Sequence, residues 1–338
     1  MSNEEIKIFG GSTGKSFAQK MCEYIGIALG RSDVIKFSDG NIFVKINETV
    51  RDKDVYLVQP IGLNPNDEFT EILFWMDAFK RASANSVTAI IPYFGYAKGD
   101  KKDEPRVSIR ARVCAECIEL AGADRILTMD LHSPQIQGFF KKPVDHLFAL
   151  PILCDYVKSL KIEDLVVVSP DVGFAKQARN FASTLQVPVA IGDKTRKSHD
   201  EKAKVLEVIG NVEGKNTLIV DDFSISGETL VDLAKGLKER GAKRIYALLS
   251  HLMLSELGAE KINNSPIELV ISTDSVVNKS IISKKVKIIS VAPLFAEAIV
   301  RIHNRESISS LFDSVPHAIK IENDQTFFKN RGINLLDE

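Results

Sequence analysis

The sequence predicts an α/β protein whose mainly parallel sheets are flanked by helices. Three observations carry that prediction. Short β-branched runs alternate with amphipathic stretches along almost the whole chain, the runs are apolar throughout, and they end on polar residues. Unbroken apolarity marks a strand covered on both faces, which is how parallel sheets are built.

In chain order the runs are Val55–Val58, Val87–Ile91, Ile126–Met129, Leu165–Val168, Thr217–Val220 and Ile245–Leu249. Between them, Asn66–Ala84 sets Phe69, Ile72, Leu73, Met76 and Phe79 at helical spacing. Glu228–Arg240 does the same with Leu230, Leu233, Ala234 and Leu237, and Gly241 supplies the stop. Val107–Leu120 reads as one more helix, carrying Cys114 and Cys117. A reactive C-x-x-C needs a helix N-terminus to lower its thiol pKa, and a structural zinc needs four ligands. These two read instead as core-packing cysteines.

A chain of 338 residues is long for one core, so two domains of about 150 residues are expected. A boundary near Ala149-Leu150-Pro151 gives domains 1–149 and 150–312 and a tail 313–338. The net charge of −1 offers no basic face for nucleic acid. No apolar run approaches the roughly 18 residues that span a bilayer, and Met1–Lys7 lacks the apolar core of a signal peptide. A cytoplasmic address follows, with no membrane or nucleic-acid partner.

Two strand-to-helix turns invite a phosphate reading. Gly10-Gly11-Ser12-Thr13-Gly14-Lys15-Ser16 imitates a P-loop, but Phe9 stands where that loop requires its first glycine. It reads as a Gly-rich turn into a helix over Phe17–Ile27. The second turn follows Thr217-Leu218-Ile219-Val220 and holds Asp221 and Asp222, then Ser226, Gly227 and Thr229. Small and hydroxylated residues opening a helix leave free N–H groups, a cradle for phosphate. The two acids cannot bind that phosphate; they suit sugar hydroxyls or a bridging Mg²⁺. The bland alternative is an ordinary turn with capping Ser and Thr.

The other strand ends read Pro92-Tyr93-Phe94 with Asp100 beyond, Asp130-Leu131-His132, Ser169-Pro170-Asp171 and Ser250-His251. Sheets of this kind place their chemistry there.

An acid pair followed by a small-residue loop at a strand end resembles the phosphoribosyltransferase fold. Further blocks narrow the likeness to the ribose-phosphate pyrophosphokinase family, from about Lys7 to Phe312. They include Phe37-Ser38-Asp39-Gly40, Ile91 to Ala97, Leu127 to His132, Gln135 to Phe140, Pro143 to Leu147, Val167 to Asp171 and Ser290 to Leu294. The resemblance implies two phosphoribosyltransferase-like domains, a self-associating enzyme with a hexamer favoured, and Mg²⁺ as cofactor. The substrates it implies are ATP and ribose 5-phosphate.

Residue by residue, it implies Phe37, Asp39, Asn41, Lys98, Gly99, Asp100, Lys101 and His132 at ATP, and His132 and Asp171 at the metal. Lys194 and Arg196 match the cations of a mobile catalytic loop. Asp221 and Asp222 match the acids at the ribose hydroxyls, and Ile225, Ser226, Gly227, Glu228 and Thr229 form the 5-phosphate loop. Gly192–Lys204 shows no helical or strand period, so Lys194 and Arg196 are expected on a loop that closes over substrate. Arg51, Asp145, Ser307 and Ser309 match a regulatory anion site, or are surface capping residues.

The chain departs from the family at several contacts. Asn41 replaces an acid, Lys98-Gly99 replaces Arg-Gln, Ile225 replaces a third acid, and Glu228 and Phe174 stand at usual glycines. A planar bidentate donor is lost at position 98. These changes raise a second reading, a catalytically weak or silent regulatory homologue that associates with an active synthetase. A nucleobase phosphoribosyltransferase is a third, and it leaves the second domain unexplained.

Overall fold

The computed structural model describes residues 5–196, 204–276 and 283–312. The expected tail, 313–338, lies outside them. The described residues group into two compact units. The first takes the chain as far as Ala149, then 274–276 and 290–312; the second takes 150–273 and 283–289.

The first unit runs β1 (Ile6–Gly10), α1 (Lys15–Ile25), β2 (Ser32–Lys36), β3 (Ile42–Ile46), β4 (Asp54–Val58), α2 (Pro65–Arg81), β5 (Ser86–Ile91), α3 (Arg110–Ala121), β6 (Arg125–Met129) and β7 (Val144–Leu147). Strands β1-β4-β5-β6-β7 form one sheet in that order, every neighbour parallel, while β2 and β3 make a separate antiparallel ribbon. The apolar runs become strands because both faces are covered: β4 and β5 are buried after their first residue. Helix α2 opens on Pro65 with Asp67 and Glu68 in its first turn and closes on Lys80 and Arg81, in accord with the helix dipole. It turns Ile72, Trp75, Met76 and Phe79 inward, and Phe79 packs 5.0 Å from Phe9 and 5.3 Å from Trp75, ring to ring.

The second unit runs α4 (Leu150–Ser159), β8 (Leu165–Ser169), α5 (Ala175–Leu185), β9 (Val189–Arg196), β10 (Lys204–Ile209), β11 (Asn216–Ser224), α6 (Glu228–Glu239), β12 (Ile245–Leu252), α7 (Glu256–Asn263), β13 (Ile267–Thr273) and β14 (Val286–Ile289). Its sheet order is β10-β9-β8-β11-β12-β13-β14, with β10 alone antiparallel. From β8 the chain winds outward to β9 and β10, then returns to the other side of β8 as β11. That reversal between β8 and β11 is a topological switch point, where the loops leaving neighbouring strands diverge and open a crevice. The first sheet has no such reversal. The last helix, α8 (Ala292–His303), belongs to the first unit.

Two local expectations change. The stretch expected as a polar loop is strand as far as Arg196, its backbone paired antiparallel with β10 in the register Lys194 to Leu206 and Arg196 to Lys204. Ladder hydrogen bonds need no apolar side chains, so the polar end of β9, Gly192 to Arg196, leaves no strand period to read. Residues 197–203 of that stretch lie outside the described residues. The helix expected over Val107–Leu120 starts only at Arg110. No helix among the described residues is long and apolar enough to cross a membrane.

Candidate active site

At the switch point, β8 ends on Ser169, whose hydroxyl donates to the Asp171 carbonyl at 2.7 Å. One oxygen of the exposed Asp171 carboxylate accepts from the Phe174 N–H at 3.0 Å, just before α5. Phe174 has an ordinary φ of −91°, so this turn does not require the glycine usual there.

Across the switch point, Asp221 and Asp222 are not in a turn, as their polarity suggested, but inside β11, which pairs with β12 as far as Ser224. Each carboxylate receives the next backbone N–H: Asp222 N–H to Asp221 at 3.0 Å and Phe223 N–H to Asp222 at 2.8 Å. Burial, then the adjoining Asp222 and the more distant Asp171, push Asp221 well above the usual carboxylate range. With Asp222 and Asp171 both within electrostatic reach, Asp221 sits in a site that gains from a cation or from donating hydroxyls. Among the described residues, no three His, Cys, Asp or Glu side chains gather into a metal cage. Such a donor set fits Mg²⁺, which takes one or two carboxylates and completes its shell with substrate phosphates and water.

The loop after β11 is open. Among the described residues, the N–H groups of Ile225, Ser226, Gly227 and Thr229 donate to no protein acceptor, and that of Glu228 reaches the Ser226 hydroxyl at 3.4 Å. Gly227 caps α6 with φ 71°, a left-handed conformation that costs a side chain about 1 kcal/mol or more. The Glu228 carboxylate is tied 2.5 Å from the Lys261 ammonium on α7, which accounts for an acid tolerated beside a phosphate cradle. Ile225 is exposed and places no charge where the resemblance expects one.

The first unit holds the residues assigned to the nucleotide. Phe37 begins the five-residue turn between β2 and β3, half exposed, with Phe43 6.4 Å away ring to ring. Asn41 gives Asp39 its backbone N–H at 3.0 Å and its side-chain amide at 2.7 Å, and these bonds hold the Asp39 carboxyl below its ordinary range. An acid at position 41 would repel Asp39; the amide donates to it instead. Lys98 and Lys101 are exposed around a buried Gly99, with Asp100 half-buried.

His132 is exposed just beyond β6 on a segment fixed from both sides. The Asp130 carboxylate accepts from the Ala149 N–H at 3.0 Å, and the Leu131 N–H donates to His146 Nε2 at 2.9 Å. Asp130 itself sits at φ 41°. His146 was not singled out from sequence, nor was Lys261; both act on residues distant in the chain, which no local pattern records.

Of the residues assigned to a regulatory anion, Ser307 and Ser309 come together, hydroxyl to hydroxyl at 2.9 Å. Asp145 pairs with Arg125 at 2.5 Å, and Arg51 is exposed in a turn. Cys114 is buried on α3 with its thiol pushed up to about 11 by that burial, and Cys117 is half-buried; both are free thiols, as core packing predicts.

The Gly-rich turn after β1 differs from the open loop. Gly11 N–H donates to the Val58 carbonyl, Thr13 N–H to the Gln59 side chain, and Gly14 and Lys15 N–H to the Gly11 carbonyl. Ser12 gives both its N–H and its hydroxyl to the buried Glu71 carboxylate, which also accepts from Trp75 Nε1 at 3.0 Å. The turn already holds an anion of its own.

Two family models match separate parts of the chain. Residues 6–122 match the model of the N-terminal domain of ribose phosphate pyrophosphokinase, and 197–313 match the phosphoribosyl synthetase-associated domain. The chain is 46% identical over 314 residues to a ribose-phosphate pyrophosphokinase of Thermosipho africanus, covering 92% of this chain and 99% of the relative. It is 41% identical over 319 residues to one of Bacillus subtilis, covering 92% of this chain and all of the relative. The crystal structure of phosphoribosylpyrophosphate synthetase from Mycobacterium smegmatis superposes with a TM-score of 0.83 at 34% identity, covering 89% of this chain and 99% of that one.

Proposed function

This chain belongs to the ribose-phosphate pyrophosphokinase family, and on that premise we propose that it transfers the pyrophosphoryl group of ATP to O1 of ribose 5-phosphate. The products are phosphoribosyl pyrophosphate, a precursor in nucleotide biosynthesis, and AMP. The observation that carries the reading is the switch-point loop. Its unpaired N–H groups suit the 5-phosphate, while Asp221 and Asp222, one step back along β11, suit the ribose hydroxyls.

In this reading O1 attacks the β-phosphorus in line, and the bond to the α-phosphate oxygen breaks as the O1–P bond forms. The residues of this chain position the reactants and neutralise charge, which is most of what phosphoryl-type transfer asks of a protein. Lys194 and Arg196 are the cations we assign to the transferred group. Phe37, Asp39, Asn41, Lys98, Gly99, Asp100 and Lys101 are assigned to ATP. Asp171 is the carboxylate, and His132 the imidazole, assigned to Mg²⁺ and the phosphate chain; when bound, that ion would supply further charge neutralisation.

Two of the departures that raised the regulatory reading have local explanations: Asn41 satisfies Asp39, and Glu228 is engaged by Lys261. A homo-oligomer, a hexamer on family resemblance, and a cytoplasmic address complete the proposal. Exposed Ile35, Phe37 and Phe43 on the β2–β3 ribbon are compatible with self-association.

The deciding experiment mixes the chain with ATP, Mg²⁺ and ribose 5-phosphate and measures AMP. AMP and phosphoribosyl pyrophosphate should appear in equal amounts, and Lys194→Ala with Arg196→Ala should remove both. AMP at the level of that double variant would overturn the reading.

A further inference from the structure

Gly99 is buried although Lys98, Lys101 and Lys102 around it are exposed, and the side chain that lies against it is that of Arg110. A Cβ added at position 99 would fall 2.5 Å from Arg110 Nε, 2.9 Å from its Cβ and 3.3 Å from its Cζ. Gly99 is fixed in place, because its N–H donates to the Tyr96 carbonyl at 2.8 Å in a short 3₁₀ turn. Arg110 is therefore seated in the volume that any side chain at 99 would claim.

The electrostatics of Arg110 are wrong for stability. It is the first residue of α3, where the helix dipole disfavours a cation, and no acid accompanies it in that first turn. Its neighbours at helical spacing, Val113 and Cys114, carry no charge, whereas Arg112 two residues on is paired with Glu116 at 2.7 Å. Arg110 makes no ion pair or side-chain hydrogen bond among the described residues. The segment from Lys98 to Arg110 holds five cations, Lys98, Lys101, Lys102, Arg106 and Arg110, against three acids, Asp100, Asp103 and Glu104. An exposed, unpaired guanidinium held among like charges gains from an incoming anion and from little else. Local rules are broken in this way where a ligand compensates.

We infer that Arg110 is a nucleotide-binding residue, supplying to the phosphate chain of ATP the planar, forked donor that Lys98-Gly99 lacks. The inference rests on the assignment of this segment to ATP. A guanidinium grips two phosphate oxygens at once, which an ammonium such as Lys98 does not. Positions 99 and 110 then act as one unit: glycine at 99 is the condition for arginine at 110 to reach the site.

Steady-state AMP release by the full-length chain tests this. Arg110→Ala should raise KM for ATP ten- to a hundredfold, the loss expected for charged hydrogen bonds, with KM for ribose 5-phosphate within about twofold. Arg110→Lys should recover only part of it. Gly99→Gln should raise KM for ATP by itself, because its side chain displaces Arg110, yet add little in the Arg110→Ala background. An unchanged KM for ATP in Arg110→Ala, or losses that simply add, would overturn the inference. Should the wild type release no AMP, the reaction is wrong and Arg110 is still tested, because calorimetry with a non-hydrolysable ATP analogue must show the same weakening.

Discussion

The chain contains two strand-to-helix turns of similar appearance, Gly10 to Lys15 after β1 and Ile225 to Thr229 after β11, and their fates are opposite. In the first, each backbone N–H from Gly11 to Lys15 has an acceptor within the protein, and a buried carboxylate occupies the position an anion would take. In the second, the N–H groups of Ile225, Ser226, Gly227 and Thr229 have no acceptor among the described residues, and the acid nearest them is paired with Lys261. The richer glycine content lies in the turn with no donors to offer. A phosphate site is therefore defined by which groups hold the N–H donors, and glycine only makes the approach sterically open. Topology separates the turns as well: the open loop leaves a strand beside a switch point, while β1 sits at the edge of a sheet that never reverses.

The largest effect that sharpens this contrast is at the acid pair. Asp221→Asn with Asp222→Asn should lower kcat/KM for ribose 5-phosphate on the order of 10³-fold, as two charged hydrogen bonds are lost. The single change Asp221→Asn should at the same time raise the melting temperature at neutral pH. A carboxyl whose pKa is raised on folding binds its proton more tightly in the folded state, so its ionisation weakens the fold as pH climbs above the unfolded value. The gain from Asn should be absent near pH 4, close to the unperturbed pKa of Asp, and grow as pH rises through the folded one. Melting curves of both proteins at several pH values decide it; a gain independent of pH would break the comparison.

The closed turn should respond in the reverse sense, in stability and not in catalysis. Glu71→Ala strands the Ser12 N–H, the Ser12 hydroxyl and the Trp75 indole N–H around a buried site, a loss of about 3 kcal/mol. Glu71→Gln retains an acceptor oxygen and should lose about half as much. KM for ribose 5-phosphate should stay within about twofold in either variant, measured beside denaturant unfolding. If either variant shifted that KM tenfold, the first turn would be part of the working site after all.

Much of this was legible in the chain because burial writes itself into composition. The runs at Val55–Val58, Val87–Ile91 and Ile126–Met129 are strands to within a residue, since a strand covered on both faces has to be apolar throughout. The same logic fails where a strand is polar for functional reasons. Asp221 and Asp222 have the polarity of turn residues, yet β12 continues beside them to Leu252 and extends the ladder through both. The far end of β9, Gly192 to Arg196, is polar and is held by its backbone ladder to β10, so it leaves no apolar signature. Partnerships distant in sequence were wholly silent: Glu71 beneath Ser12, His146 against Leu131, Arg110 over Gly99, and the return of α8 to the first unit.

The smallest effect concerns Lys261, and it probes what keeps the open loop open. Its pair with Glu228 is exposed, so Lys261→Ala should change stability by no more than about 0.5 kcal/mol. The carboxylate released from Lys261, however, belongs to the first residue of α6, next to the N–H groups of Gly227 and Thr229. An acid in a first turn is itself attracted to those donors, and so competes with a phosphate for them. KM for ribose 5-phosphate should then rise about three- to tenfold while KM for ATP holds, a size set by one surface-exposed charge near the bound phosphate. Adding Glu228→Gln to Lys261→Ala should return the KM to its starting value, because the competing charge is gone. Failure of that rescue would mean that Lys261 acts on the phosphate directly and that Glu228 was never a threat to the loop.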